Sequence, residues 1–361
     1  MPAESGSPGD GGTHRPIRRG PRHQVSIRDV AERAGVALGT VSNVLNRPEK
    51  VAPATRERVQ RAIEELGFVR NDAARQLRAG KSRTIGLIVL DVGNPFFTDV
   101  ARGAGDRAAE AGLSVLLGSS DQRTDRETAF LDLFEQQRVQ GVLLSPVGDV
   151  DERLARLRDR GMSTVLVDRL SQGRHFSSVS VDDVGGGYLA VQHLIEQGCR
   201  RIAFVGGPLN ILQVADRLQG ATKAAAEHRG VQLEVLSQPD LTVRAGRDAG
   251  QDIVERSPAD RPTGVFAAND LLAVGVLQAF ALLGPLAVPD DIALVGYDDI
   301  DFAGSTVVPL TSIRQPSELI GKTAVELLLE ETAALAEGRP FERQQVVFQP
   351  ELIIRESSRR R

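Results

Sequence analysis

Five histidines, one cysteine and one glycine-spaced segment are where metal, nucleophilic or cofactor chemistry would first show in this 361-residue chain. His14, His23, His175, His193 and His228 have no spacing that sets two imidazoles on one helix face for zinc, and no HExxH occurs. Cys199 stands alone, which excludes an internal disulfide and a CxxC metal clip. Gly103-x-Gly105-x-x-Ala108 formally fits a dinucleotide loop, but it lies inside a helical stretch and not at the strand-to-helix turn where phosphate is cradled. No GxxxxGK[ST] is present, and His193, in YLAVQHLIEQG, reads as packing against or capping its own helix. An enzyme is therefore not expected, nor a metal or cofactor. The polar groups that remain stand at element ends: Asp168, Asn269 and Asp298 close strand-like runs, and Arg217 sits in ADRLQG at the start of a helix.

The charge distribution says what kind of partner to expect. Net charge is only −4, yet residues 1–83 carry 16 Lys+Arg against 9 Asp+Glu, or +7, leaving −11 on residues 84–361. A basic N-terminal fifth on an acidic body reads as a nucleic-acid-binding head on a carrier that phosphate does not attract, the alternative being a basic tail with no partner. Residues 1–24, rich in Gly and Pro and lacking an apolar period, are expected to form a flexible basic arm. Three short helices follow. In SIRDVAERAG, Ser26 and Asp29 make an S-x-x-D capping box, Ile27, Val30, Ala31 and Ala34 share a face, and Gly35 is a stop. VALGTVSNVLN turns Val41, Val44 and Leu45 inward and leaves Leu38, Gly39, Thr40, Ser42 and Asn43 outside; Pro53 opens a third helix with Val59, Ile63 and Leu66 as its stripe and Gly67 as its stop. Two short helices joined by a tight turn and buttressed by a third make a helix-turn-helix, unless they form some other small helical unit.

After Arg83 the runs TIGLIVLDV, LSVLLGSS, GVLLSP, STVLVDR, RRIAFVGG, GVFAAN and IALVGYDD alternate with helical stretches, the pattern of a parallel α/β body whose ligands gather at the carboxyl ends of its strands. The strands fall in two groups, so two lobes with a cleft between them are expected. In NPFF, Asn94 caps a helix with Pro95 in its first turn; Phe96 and Phe97 reach the cleft edge, either to cover an apolar ring or to pack beneath the loop, while Val100, Ala101, Ala104 and Ala108 face the sheet. No apolar stretch is long enough for a membrane helix and the polar N-terminus does not look like a secretory signal, so a cytoplasmic protein with no membrane partner is expected. The absence of a Leu heptad beyond Glu356 argues against a C-terminal coiled coil.

VSIRDVAERAGV, TVSNVLN and TRERVQRAIEELGF closely resemble the head of the lactose-repressor (LacI/GalR) family of transcription factors, and the likeness continues through NDAARQLR, GLIVLDVGNPFF, RRIAFVGGP, AANDLLAVG and VGYDDI. The resemblance implies an all-α helix-turn-helix head and hinge helix, followed by a two-lobed α/β core with parallel sheets like that of periplasmic binding proteins. Its divisions would be the arm at 1–24, the head at 25–70, a hinge and linker at 71–83 and an effector-binding, dimerising core at 84–361. One lobe would draw on about 84–181 and 315–343, the other on about 182–314 and 344–356.

By the same resemblance, the partners are double-stranded operator DNA, a small polar effector such as a sugar, and a second copy of the chain. Leu38, Gly39 and Asn43 would face base edges in the major groove; Thr40, Ser42, Asn46, Lys50, Thr55 and Asn71 would serve the DNA backbone, and Ser26 and Arg28 would also belong to the DNA-binding set. Ala74 would pack on its dimer mate while Leu77 wedges into the minor groove. Asp168, Arg217, Asn269 and Asp298, with Phe96, Phe97 and Leu241, would surround the effector, carboxylate, guanidinium and amide being the set that fixes vicinal hydroxyls. Leu241 stands where several relatives have an aromatic platform, and nearby Arg244 either recruits an anionic group or is an exposed loop residue. The rival, a small-molecule-binding protein of the same core fold without an operator, does not account for the head.

Overall fold

The computed structural model describes residues 25–68, 82–148, 150–171, 173, 175–284 and 286–360, so the expected arm at 1–24 and the hinge residues Asn71, Ala74 and Leu77 lie outside the described residues. The chain forms two units, divided after Gly80.

The first unit is three helices, α1 (Ile27–Ala34), α2 (Leu38–Asn46) and α3 (Pro53–Leu66). The Ser26 amide donates to Asp29 Oδ2 at 2.7 Å while the Asp29 amide donates to Ser26 Oγ at 3.4 Å, closing the capping box that the sequence carries. Gly35 and Gly67 end α1 and α3 in the left-handed region, at φ 61° in both cases. Val30, Ala31, Ala34, Val41, Val44, Val59 and Ala62 make the core, with Leu45, Ile63 and Leu66 at its edge. The fully buried positions of α3 are thus Val59 and Ala62, with Ile63 and Leu66 of the expected stripe only partly buried beside them.

The second unit holds two six-stranded sheets. The first contains β1 (Thr84–Val89), β2 (Ser114–Ser119), β3 (Gly141–Leu144), β4 (Ser163–Val167), β5 (Ser177–Val181) and β11 (Gln345–Phe348), in the order β11-β5-β4-β3-β1-β2. The second contains β6 (Arg201–Gly206), β7 (Gln232–Ser237), β8 (Gly264–Ala267), β9 (Ala293–Asp298), β10 (Thr311–Arg314) and β12 (Glu351–Ile353), in the order β12-β10-β9-β8-β6-β7. All pairings are parallel except β10 with β12. The central strands are buried along nearly all their length, whereas β2 and β7, each at one edge of its sheet, are mostly exposed or half-buried, with Leu116, Leu117 and Val235 exposed. Residues 344–348, expected in the second lobe, belong instead to the first: β11 pairs with β5 from Gln345↔Ser178 to Phe348↔Val181, and the chain crosses only afterwards. The second lobe also runs past 356, where Ser358 Oγ lies 2.7 Å from the buried His193 Nε2. His193 is therefore held by the C-terminal segment and not by its own helix.

The helices are α4 (Pro95–Glu110), α5 (Thr124–Gln136), α6 (Asp151–Asp159), α7 (Asp183–Glu196), α8 (Leu212–Ala226), α9 (Val243–Glu255), α10 (Asp270–Leu282) and α11 (Ser317–Glu337). Three pairs of them meet backbone to backbone at reciprocal glycines. A Cβ on Gly103 of α4 would overlap the Glu318 carbonyl of α11, and one on Gly321 would overlap Val100 O. Gly187 and Gly220 play the same part between α7 and α8, against Arg217 O and Val184 O, as do Gly246 and Gly275 between α9 and α10. Of the dinucleotide-like spacing in α4, Gly103 is therefore a helix-packing residue.

The two glycines of that spacing should separate under mutation. Gly103→Ala forces a methyl into the Glu318 carbonyl and should lower stability by about 1–3 kcal/mol or more, whereas Gly105→Ala, with open space around it, should raise stability by about 0.5–1 kcal/mol through helix propensity alone. Urea denaturation of both variants checks this; equal effects would remove the packing account.

Candidate functional site

On the head, Leu38, Gly39, Asn43 and Asn46 are exposed along α2, Thr40 and Ser42 half-buried beside them. Asn46 Nδ2 donates to Ser42 O at 2.8 Å, so one face of the helix carries a pre-set amide and hydroxyl. Ala37 caps α2 without a side-chain hydrogen bond, leaving first-turn amides for an outside acceptor. Arg28 and Lys50 are exposed, Thr55 is half-buried in the first turn of α3, and Ser26 holds the α1 cap.

In the second unit Asp168 follows β4 of the first lobe, while Asn269 follows β8 and Asp298 ends β9 of the second. Arg217 lies well inside α8, not at its start as the segment ADRLQG suggested, and its carbonyl is the one that rests on Gly187. These four residues, with Phe96, Phe97 and Leu241, line one cavity of about 30 Å³. That is room for one or two water-sized groups, against about 300–1,000 Å³ for a typical ligand pocket, so the cleft is closed. Phe96 and Phe97 meet edge to face at 4.9 Å, and both are buried. A larger depression of about 650 Å³ lies along α4 and α11, with ion pairs of Arg102 and Glu318 at 3.3 Å and of Arg314 and Asp299 at 2.8 Å in its lining.

The cleft is closed by polar contacts between lobes. Asn94, whose Oδ1 caps α4 by accepting from the Phe96 amide, donates from Nδ2 to Asp298 Oδ2 at 3.0 Å. Gln213 Nε2, one turn before Arg217 on α8, donates to Asp168 O at 2.5 Å and to Asp168 Oδ2 at 3.0 Å. Gln315, on the crossing segment after β10, donates to Asp298 Oδ1 at 2.8 Å. Asn269 accepts from the Leu272 amide at 2.9 Å, capping α10, and donates to Leu241 O at 3.1 Å. Asp168 and Asp298 hold positive φ, 59° and 104°, backbone strain of the kind that persists where surrounding structure over-determines a residue.

Arg217 is the electrostatic centre. It is 4% exposed, its Nε donates to Asp183 Oδ1 at 2.7 Å, NH1 donates to Ala268 O at 2.7 Å, and Asp298 Oδ1 lies 3.8 Å away. The guanidinium carbon stands 3.7 Å over the Tyr297 ring. Burial works against the guanidinium charge, but Asp183, with Tyr297, Asp298 and Asp168 behind it, outweighs burial and raises its proton affinity. Burial raises the carboxyls of Asp183 and Asp298 above the ordinary range, with Arg217 opposing it. Asp168 is pushed well above that range by burial and then by Asp183, and its Oδ1 has no hydrogen-bond partner.

Sequence reasoning missed Asp183, Gln213 and Gln315, and saw in Asn94 only a cap. The i, i+4 spacing of Gln213 and Arg217 puts both on one face of α8 and is the signal that was available; the partners of Asp183 and Gln315 depend on chain crossings that no local pattern encodes. Among the described residues no helix is long and apolar enough to cross a membrane.

Residues 26–71 match the family described as bacterial regulatory proteins, lacI family, and residues 191–358 match the periplasmic binding protein-like domain. The HTH-type transcriptional repressor PurR of Photobacterium profundum is 32% identical over 336 residues, covering 92% of this chain and 98% of its own. The HTH-type transcriptional regulator CelR of Thermobifida fusca is 35% identical over 347 residues, covering 93% and 99%. A solved structure of the lac repressor dimer bound to operator and the anti-inducer ONPF is similar at TM-score 0.78 and 28% identity, with 93% of this chain and 99% of that chain covered.

Arg217→Met should lower the stability of the second unit by about 3–5 kcal/mol, because it strands buried carboxylates that now share one cation. Chemical denaturation followed by near-ultraviolet circular dichroism measures this, and a loss below about 1 kcal/mol would mean that the carboxyls are neutral and need no cation.

Proposed function

The chain belongs to the lacI family of bacterial regulatory proteins, and on that premise we propose that it is a repressor whose operator affinity is set by a small polar effector bound in the closed cleft. The observation that carries the proposal is the cleft itself: carboxylates and amides from both lobes converge there, and one buried carboxylate oxygen lacks a partner. Asp168, Arg217, Asn269 and Asp298 are its effector-facing polar groups, with Phe96, Phe97 and Leu241 as apolar walls. An effector shifts the lobe equilibrium only by its differential affinity for the two states, so effector and operator should be coupled by roughly 1–3 kcal/mol, of either sign.

On the head, Leu38, Gly39 and Asn43 meet base edges in this reading, and Ser26, Arg28, Thr40, Ser42, Asn46, Lys50, Thr55 and Asn71 serve the DNA contact around them. Two chains act together on a near-palindromic site, their Ala74 residues packed at the hinge and Leu77 inserted as a minor-groove wedge. As a regulator it works in the cytoplasm and performs no turnover.

Operator fragments selected from random DNA with the full chain provide the test. Affinity should fall steeply as salt rises, two chains should bind each fragment, and some member of a small-polyol library should change affinity roughly 5- to 150-fold. Leu77→Ala should weaken operator binding by a few kcal/mol at most and leave the melting temperature unchanged. A flat salt response, or one chain per fragment in sedimentation, would defeat the proposal.

A further inference from the structure

We infer that the ligand of this cleft carries a protonated amine on a polyhydroxylated frame, an amino sugar or similar amino polyol, whose ammonium group sits on the free Oδ1 of Asp168. The inference deepens the effector reading above and rests on it.

The first ground is charge. Among the described residues lining the cavity, Asp91, Asp168 and Asp298 are acidic and Arg217 alone is basic. That single cation is already engaged, with Nε on Asp183 and NH1 on a backbone carbonyl. Three buried carboxyls, those of Asp168, Asp183 and Asp298, therefore share one guanidinium. The half-buried Asp216 on α8 adds to the excess and not to its relief.

The second ground is the count of donors. The lining amides of Asn94, Gln213 and Asn269, and that of Gln315 beside Asp298, are each directed at an oxygen already, which leaves the half-buried Gln122 amide among the described lining residues. Asp168 Oδ1 is a buried acceptor left without a partner at the cavity, while Gln315 Oε1 beside Asp298 and the Tyr297 hydroxyl beneath Arg217 are without one behind it. A site rich in acceptors and short of free donors selects a ligand that supplies donors, and an ammonium group supplies three while cancelling charge. Phe96 and Phe97 line the same cavity, and aromatic rings attract a cation placed over them. The cavity of about 30 Å³ that Asp168 helps to line suits a group of that size, and the rest of the ligand enters as the lobes part.

The test compares glucosamine, galactosamine and mannosamine with glucose, galactose and mannose and with the N-acetylated amino sugars, by thermal melting and titration calorimetry on the full chain. At least one free amino sugar should raise the melting temperature and bind roughly 10- to 100-fold more tightly than its parent sugar and its acetylated form. Asp168→Asn, which suits the left-handed backbone at φ 59° and keeps an oxygen for Gln213, should erase that preference. Equal or better binding by the parent or acetylated sugars overturns the amine while leaving the cleft as an effector site. If no compound in the set raises the melting temperature, the amine and the sugar reading of the cleft fall together.

Discussion

A guanidinium buried away from water is tolerable only if carboxylates surround it, and the Arg217 site is built around that requirement. Asp183, on the first turn of α7, takes Nε directly; Asp298 at the end of β9 stands slightly further off; and Tyr297 lies beneath the group. To meet α7 at that spot, α8 must come within backbone distance, which Gly187 permits beneath the carbonyl of Arg217 itself. The charge therefore dictates the helix packing as well as the cleft. It also recruits more acid than it neutralises, which makes the remaining carboxyls turn to the other lobe for hydrogen bonds.

Those hydrogen bonds give the closed cleft a particular logic. Asn94 and Gln213 reach across in opposite directions, one from the first lobe to Asp298, the other from the second lobe to Asp168. Except at Asp168 Oδ1, a ligand polar group that binds these carboxylates replaces an existing contact, so its net gain is a difference between two good geometries. Recognition under such competition rests on whatever the protein's own amides cannot supply.

Features set by nearby residues were legible in the sequence. The Ser26–Asp29 capping box, the Gly35 and Gly67 stops and the exposed side of α2 appear where the spacing puts them, since each depends on residues within a turn. Strand ends carrying Asp168, Asn269 and Asp298 were readable for the same reason. What escaped depends on contacts far apart in the chain: residues 345–348 join the first sheet because Ser178 to Val181 offer an open edge, and nothing in their own pattern names that edge. Likewise Asn94 reads as a helix cap and is one, but its second bond spans 204 positions.

The reciprocal glycines have a mechanical meaning. Where two helices touch through carbonyl and Cα, no side chain can change rotamer to let one slide past the other, so each pair behaves as a stiff beam. One beam, α4 with α11, serves the first lobe, and two, α7 with α8 and α9 with α10, serve the second. Compliance is then concentrated in the short segments that cross between the sheets, after β5, after β10 and between β11 and β12. Three flexures joining two stiff bodies are the arrangement in which a push at Asp168 is passed on as rotation of one lobe against the other and is not absorbed by internal deformation.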